Sequence, residues 1–213
     1  GYDMIDPSAN DNYAIRWASN NGHVEVVELL LAKKEENPEL YGGIDPAAKK
    51  NYAIRMASQY GHVKVVELLL AKKEANPELY KNIDPAAKDN YAIRMASLNG
   101  HVDVITFLLS KKEENPELYQ SIAPAAQKNY AIGIASEYGH VEVAKYLIAK
   151  KESDVNNQYG YQDIDPADDS NYAICKASEN GHIELVKLLL GKKEENPELY
   201  QNIDPAARDN RAV

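Results

Sequence analysis

Five histidines are the first residues to examine for chemistry. His23, His62, His101, His140 and His182 each follow a glycine, and they recur at intervals of 39, 39, 39 and 42 residues. A ladder of imidazoles could bind metal. Helices packed side by side stand about 10 Å apart, whereas a zinc ligand sits roughly 2 Å from its ion. Neighbouring histidines are therefore too far apart to share one, and the expected role is a structural hydrogen bond at a helix junction. Cys175 is the one cysteine. It has no second cysteine and no phased base, so the expectation is a half-buried, inert thiol. Carboxylate pairs such as Glu35 and Glu36 fall in linkers and read as solvated. No glycine-rich phosphate loop is present. These residues form no catalytic constellation and imply no cofactor and no metal; the chain reads as a non-enzyme.

The elements that would position these residues are themselves periodic. Asn-Tyr-Ala-Ile begins at Asn12, Asn51, Asn90, Asn129 and Asn171, stepping with the histidines. A constant period between 20 and 50 residues marks a solenoid, in which each unit packs on its neighbours. The fold expected is all-α, a single repeat domain over 1–213. Its five helix-pair repeats fall at about 5–43, 44–82, 83–121, 122–163 and 164–202, with 203–213 a partial repeat or C-terminal stub.

The second unit shows the logic. Asn51 is a good N-cap residue. Ala53, Ile54 and Ala57 follow at helical spacing on a small apolar face, which lets a second helix approach closely. Gly61 ends that helix, since glycine accepts positive φ cheaply. After His62, the residues Val63, Val66, Leu69 and Leu70 form one stripe, and Val65 and Leu68 widen it. Such a helix is buried on more than one side. Lys72 and Lys73 fall in its last turn, where cations suit the helix dipole. A nucleic-acid patch is the alternative for these lysine pairs, but the glutamates that follow most of them neutralise the field. Asn76-Pro-Glu-Leu-Tyr80 predicts one extra helical turn in each linker, with Leu79 or Tyr80 tucked inward. Asp6, Asp45 and Asp84 precede Arg16, Arg55 and Arg94 by ten residues, which predicts a loop-to-helix ion pair; two separately solvated charges are the alternative. The fourth repeat carries Ala123 and Gly133 instead, and the fifth keeps Asp165 but has Cys175 at the partner position, which weakens the pairing.

The chain has 213 residues, 44% hydrophobic and 27% charged, with a net charge of −9 and fifteen tyrosines against one phenylalanine. That balance fits a folded chain. It disfavours nucleic acid and anionic lipid as partners. No apolar run approaches the roughly 18 residues of a membrane span. A lone cysteine fits a reducing, cytoplasmic setting. The chain opens on Gly1 with no signal-peptide pattern, and the expectation is a trimmed chain.

Ala57-Ser-Gln-Tyr-Gly-His-Val-Lys-Val-Val-Glu-Leu-Leu-Leu70 resembles the ankyrin repeat, and all five units carry this pattern. The family's Thr-Pro-Leu-His opening is replaced here by Tyr-Ala-Ile-Arg at Tyr52 to Arg55. The period is also longer, the extra residues falling after the second helix. The finger hairpins of ordinary ankyrin repeats are therefore expected to be replaced by short helical turns. Units of this Asn-Tyr-Ala-Ile-Arg kind resemble arrays of large DNA viruses, amoebae and some intracellular bacteria, which implies host cytosol as a possible setting.

The resemblance implies a scaffold that binds a protein partner, as a monomer, along a concave groove. The residues before each Gly-His would line it: Asn20, Asn21, Gln59, Tyr60, Leu98, Asn99, Glu137, Tyr138, Glu179 and Asn180. Trp17 is a further candidate, with inter-repeat packing as its alternative. The fourth linker is three residues longer and lacks proline; there Tyr159 and Tyr161 are candidates for a contact loop, with tolerated drift as the alternative. Other roles for the whole are a structural or engineered array without a partner, or the targeting region of a larger effector or enzyme.

Overall fold

The computed structural model describes residues 6–207, and the expected stub at 203–213 lies outside these from residue 208 onward. The chain divides into two compact units, 1–92 and 93–213. Among the described residues there is no strand. Each repeat is a helix pair followed by a short linker element. In the first unit, α1 (Ala9–Asn20) and α2 (Val24–Glu36) precede α3 (Pro38–Tyr41), and α4 (Ala48–Gln59) and α5 (Val63–Ala75) precede α6 (Pro77–Tyr80). Helix α1 packs on α2 and on α4, and α2 packs on α5. After α7 (Ala87–Leu98), the second unit continues with α8 (Val102–Glu114), α9 (Pro116–Tyr119), α10 (Ala126–Glu137) and α11 (Val141–Ser153). A 3-10 turn (Tyr161–Asp163) leads into α12 (Asp168–Glu179), α13 (Ile183–Glu195) and α14 (Pro197–Tyr200).

The apolar stripe is buried as its period requires. Ala53, Ile54, Ala57, Val65, Val66, Leu69 and Leu70 are fully buried, while Val63 and Leu68 are half-buried. Ala144, Ala177 and Leu185 form the equivalent contact in the second unit. Alanine on the first helix of each pair lets the next helix sit close, so burial comes from leucine, valine and isoleucine on the second helix. Each such side chain contributes roughly 1.5–3 kcal/mol.

The entry to each first helix differs from the expected cap. Residues 10–12 (Asn10, Asp11, Asn12) all have left-handed backbone angles, with φ of 54, 58 and 64°. The same three-residue turn recurs before Tyr52, Tyr91, Tyr130 and Tyr172. Left-handed residues cost an L-amino acid about 1–2 kcal/mol each, so something must hold them. The third residue does. Asn51 is buried, and its Oδ1 accepts from the Asp84 amide of the next repeat at 2.8 Å. Asn12 receives Asp45 N–H at 2.7 Å, Asn129 receives Asp165 N–H at 2.9 Å and Asn171 receives Asp204 N–H at 2.8 Å. The asparagine is thus a clasp between repeats rather than a cap for its own helix.

The Asp–Arg pairing is corrected by the same turn. Arg16 donates to the carbonyls of Asp11 (2.8 Å) and Asn10 (3.1 Å), and Arg55 to those of Lys50 (2.9 Å) and Lys49 (3.2 Å). The aspartates instead accept from backbone two residues on: Asp6 from Ser8 N–H and Asp45 from Ala47 N–H. For Asp6 with Arg16 and Asp45 with Arg55, the spacing of ten reflects the common repeat frame rather than an ion pair.

The lysine pairs also divide their work. The first bridges repeats: Lys72 meets Glu35 at 2.6 Å, and Lys150 meets Glu113 at 2.6 Å. The second is buried and donates into the linker. Lys73 Nζ reaches the carbonyls of Ile83 (2.6 Å) and Lys81 (3.0 Å), and Lys112 reaches Ile122 O at 2.6 Å. Burial lowers the pKa of Lys34, Lys73, Lys112 and Lys151. A long side chain here serves as an internal strut, its stem among apolar groups and its head on carbonyl oxygens.

Candidate functional site

Six of the expected groove residues line two shallow recesses, one in each unit, and Trp17, Gln59, Leu98, Asn99 and Glu179 line neither. In the first unit Asn20, Asn21, Tyr60 and His62 line an open recess of about 370 Å³. In the second, Glu137, Tyr138, Asn180 and His182 line one of about 450 Å³. Each recess rests on a Gly-His junction. His62 Nε2–H donates to the Asn20 carbonyl (3.0 Å), and His182 Nε2–H to the Glu137 carbonyl (2.9 Å). A carbonyl only accepts, so these bonds fix the protonated nitrogen. His62, His140 and His182 are fixed in structural bonds, as the spacing argument expects, and His62 and His182 hold the floor of the two recesses.

Glycine is required opposite the ring. At Gly22, φ is +71°, and a Cβ would stand 2.6 Å from His62 Nδ1. The same approach joins Gly100 to His140.

Tyr60 and Tyr138 are the exposed aromatic groups of these recesses, at 50% and 56%. The Tyr60 ring leans on His62, with centroids 6.4 Å apart. The remaining candidates are more engaged. Gln59 Oε1 accepts the Tyr91 hydroxyl at 2.6 Å, and Glu137 accepts the Tyr172 hydroxyl at 2.5 Å. Leu98 is half-buried, and its carbonyl takes His140 Nε2–H at 2.9 Å. Asn99 Nδ2 donates to Met95 O, and Asn180 Nδ2 to Glu137 O. Glu179 is exposed and paired with Lys176. Trp17 is exposed, and its ring packs at a tilt near Tyr13 (5.6 Å) and Tyr52 (6.3 Å).

Tyr161 is corrected. It is fully buried, and its hydroxyl donates to Leu109 O at 3.3 Å. It fills the place that Tyr80 holds in its own linker, where the hydroxyl donates to Leu31 O. The longer fourth linker is built around buried Asp154, whose carboxylate accepts from the amides of Gln158 (2.7 Å), Tyr159 (3.1 Å) and Tyr161 (2.9 Å). Tyr159 is half-buried against Tyr161, with ring centroids 5.6 Å apart. The sequence hid this because the usual Pro-Glu-Leu-Tyr pattern is absent while its tyrosine is retained.

Among the described residues, no group of three histidines, cysteines or carboxylates is placed to hold a metal ion. No helix among them is long and apolar enough to cross a membrane.

Tandem helix pairs joined by glycine–histidine junctions, with open recesses at the helix ends, define a helical repeat protein. The family model described as ankyrin repeats (3 copies) matches residues 2–81, 57–159 and 93–201, and the chain belongs to the ankyrin-repeat family. No curated protein was found to match it. Ankyrin repeats are generally protein–protein interaction modules and typically not enzymes.

Proposed function

We propose that this chain is a non-enzymatic scaffold, acting as a monomer in the cytoplasm, that binds a protein partner through the surface carrying Tyr60 and Tyr138. The carrying observation is the contrast among tyrosines. Tyr80, Tyr119, Tyr161 and Tyr200 are spent on the core, whereas Tyr60 and Tyr138 stand half-exposed on rigid junctions. A rigid amphipathic ring on a fixed backbone is what interface anchors use. The net charge of −9 favours a basic or polar partner segment.

The test is affinity capture with the wild-type chain, with Tyr60→Ala plus Tyr138→Ala, and with Glu39→Ala as a surface control. A partner retained by wild type and control, and lost by the tyrosine double variant, supports the reading. A partner retained equally by all three removes this surface from the proposal.

A further inference from the structure

One position separates the fourth repeat from the first three. Arg16, Arg55 and Arg94 share a place in their repeats, and Gly133 stands there in the fourth. Where arginine is present it fills a defined socket. Its fork lies on two carbonyls of the left-handed turn, those of Asp11 and Asn10 for Arg16 and of Lys50 and Lys49 for Arg55. Its plane lies on tyrosine. Arg16 stands 5.2 Å from the Tyr52 ring centroid, Arg55 lies 4.9 Å from Tyr91 and 5.9 Å from Tyr52, and Arg94 is 5.3 Å from Tyr130. The socket is thus a guanidinium site, built from two backbone acceptors and one or two aromatic faces.

At Gly133 the walls remain without the arginine. The residues that correspond to the carbonyl acceptors of the socket are Gln127 and Lys128, and those that correspond to the rings are Tyr130 and Tyr172. All four line a cavity of about 170 Å³ beside Gly133. Tyr172 closes one side against the glycine backbone, where a Cβ would stand 3.1 Å from its Cδ1.

A second difference falls at the same place. Counting back from the clasp asparagine of the following repeat, the two residues flanking the filled sockets are Ala48 and Lys49, Ala87 and Lys88, and Ala126 and Gln127. Beside the vacated socket they are Asp168 and Asp169, both of which line the cavity. The repeat that follows the lost arginine thus brings two carboxylates to a flank that is basic or neutral elsewhere, beside Lys128; Asp168 accepts from Asn129 Nδ2 at 3.0 Å and from the Asp169 N–H at 2.7 Å.

We propose that this cavity is a docking socket for an arginine side chain presented by a partner protein, which takes the place that Arg16, Arg55 and Arg94 fill from within. Arginine suits it better than lysine because a planar fork can meet two carbonyls while its face rests on tyrosine. The socket uses other side chains than the Tyr60 and Tyr138 recesses and does not depend on that reading.

The probe is the peptide acetyl-Gly-Arg-Gly-amide, with its lysine counterpart, titrated into the ¹⁵N-labelled chain. Saturable shifts of the Gly133 and Tyr172 amides are expected with the arginine peptide, roughly tenfold tighter than with the lysine peptide. The response should vanish in Gly133→Arg, which plugs the socket from inside, and persist in Tyr138→Ala. Should Gly133→Arg fail to fold by circular dichroism, Tyr172→Ala takes its place, with loss of the response again expected. Absence of a saturable shift, an equal response to lysine, or an undiminished response in the plugged or wall-deleted variant overturns the proposal.

Discussion

The clasp asparagine gives the sharpest test of how these repeats are joined. Asn51 is buried, holds a φ of 62° and accepts the Asp84 amide at 2.8 Å. Replacing it with alanine removes the acceptor and leaves that N–H unpaired in a part-buried site, at a cost of about 1–3 kcal/mol. Alanine must also take the left-handed conformation, adding about 1–2 kcal/mol. Asn51→Gly loses the bond but meets no conformational penalty in the fold. Glycine's extra freedom in the unfolded chain returns roughly 0.5–1 kcal/mol of destabilisation. Alanine should therefore exceed glycine by about 1 kcal/mol, and both should fall well below wild type. Urea unfolding followed by far-ultraviolet circular dichroism measures the totals. Since repeat arrays can lose cooperativity when one interface weakens, hydrogen exchange at the Asp84 amide measures the clasp itself. A glycine variant as stable as wild type, with Asp84 still protected, would falsify the clasp. Equal losses for alanine and glycine would show that the left-handed turn is not constraining.

Other residues can be tested in the same way. Gly100→Ala should cost at least about 1 kcal/mol more than Gly181→Ala, because both positions have positive φ but only Gly100 has a histidine ring against it; equal urea midpoints would refute the packing account. Lys73→Met keeps the buried stem but strips the linker carbonyls of their donor, with an expected loss of about 1–3 kcal/mol in the same assay. Alkaline pH should unfold the chain. Burial pushes the Tyr80, Tyr161 and Tyr200 hydroxyls far above their usual range, with Glu35, Glu113 and Glu152 adding to the effect. The folded state therefore holds protons that the unfolded state releases above about pH 10, and stability falls there. The buried lysines have lowered pKa values, so the unfolded state binds more protons just below about pH 10.4 and stability rises towards that point. Tyrosinate absorbance should appear in two stages, exposed rings first and these three only as helicity is lost; a single stage before unfolding would refute the burial.

What the sequence made legible was whatever depends on period alone. Helix pairs, the apolar stripe, the extra linker turns and the structural histidines all follow from spacing and side-chain type. Contacts between repeats were harder to read, because one residue type can serve two geometries. Asparagine caps helices and also tolerates the left-handed region, so Asn51 looked like a cap when its bond runs to the next repeat. Lysine near a helix end suits the dipole and also reaches a linker carbonyl, so Lys73 was read as a dipole cation when it is a buried donor to the linker. Tyr161 was read as part of an open loop because its neighbours are polar, yet the loop folds around Asp154 to deliver that ring to the core. Among the expected groove residues, the ones directly before the junction glycine, Asn21, Tyr60, Asn99, Tyr138 and Asn180, are all exposed, as that place suggests.

Gly133 shows where a repeat array carries its most specific information. A residue present in every copy is explained by the packing that every copy shares, and says little about a partner. The arginine is absent from two copies, at Gly133 and Cys175; at Gly133 the groups that would have contacted it remain and leave a shaped gap whose preferred occupant is displayed elsewhere in the same chain. The missing arginine was visible in the sequence as a broken Asp–Arg pair, with Ala123 and Gly133 lost together. Only the stacking of Arg55 between Tyr52 and Tyr91 reveals what the arginine was for. The side chains that surround the gap, Tyr130, Tyr172, Asp168 and Asp169, then define its chemistry as that of a cation with a flat face.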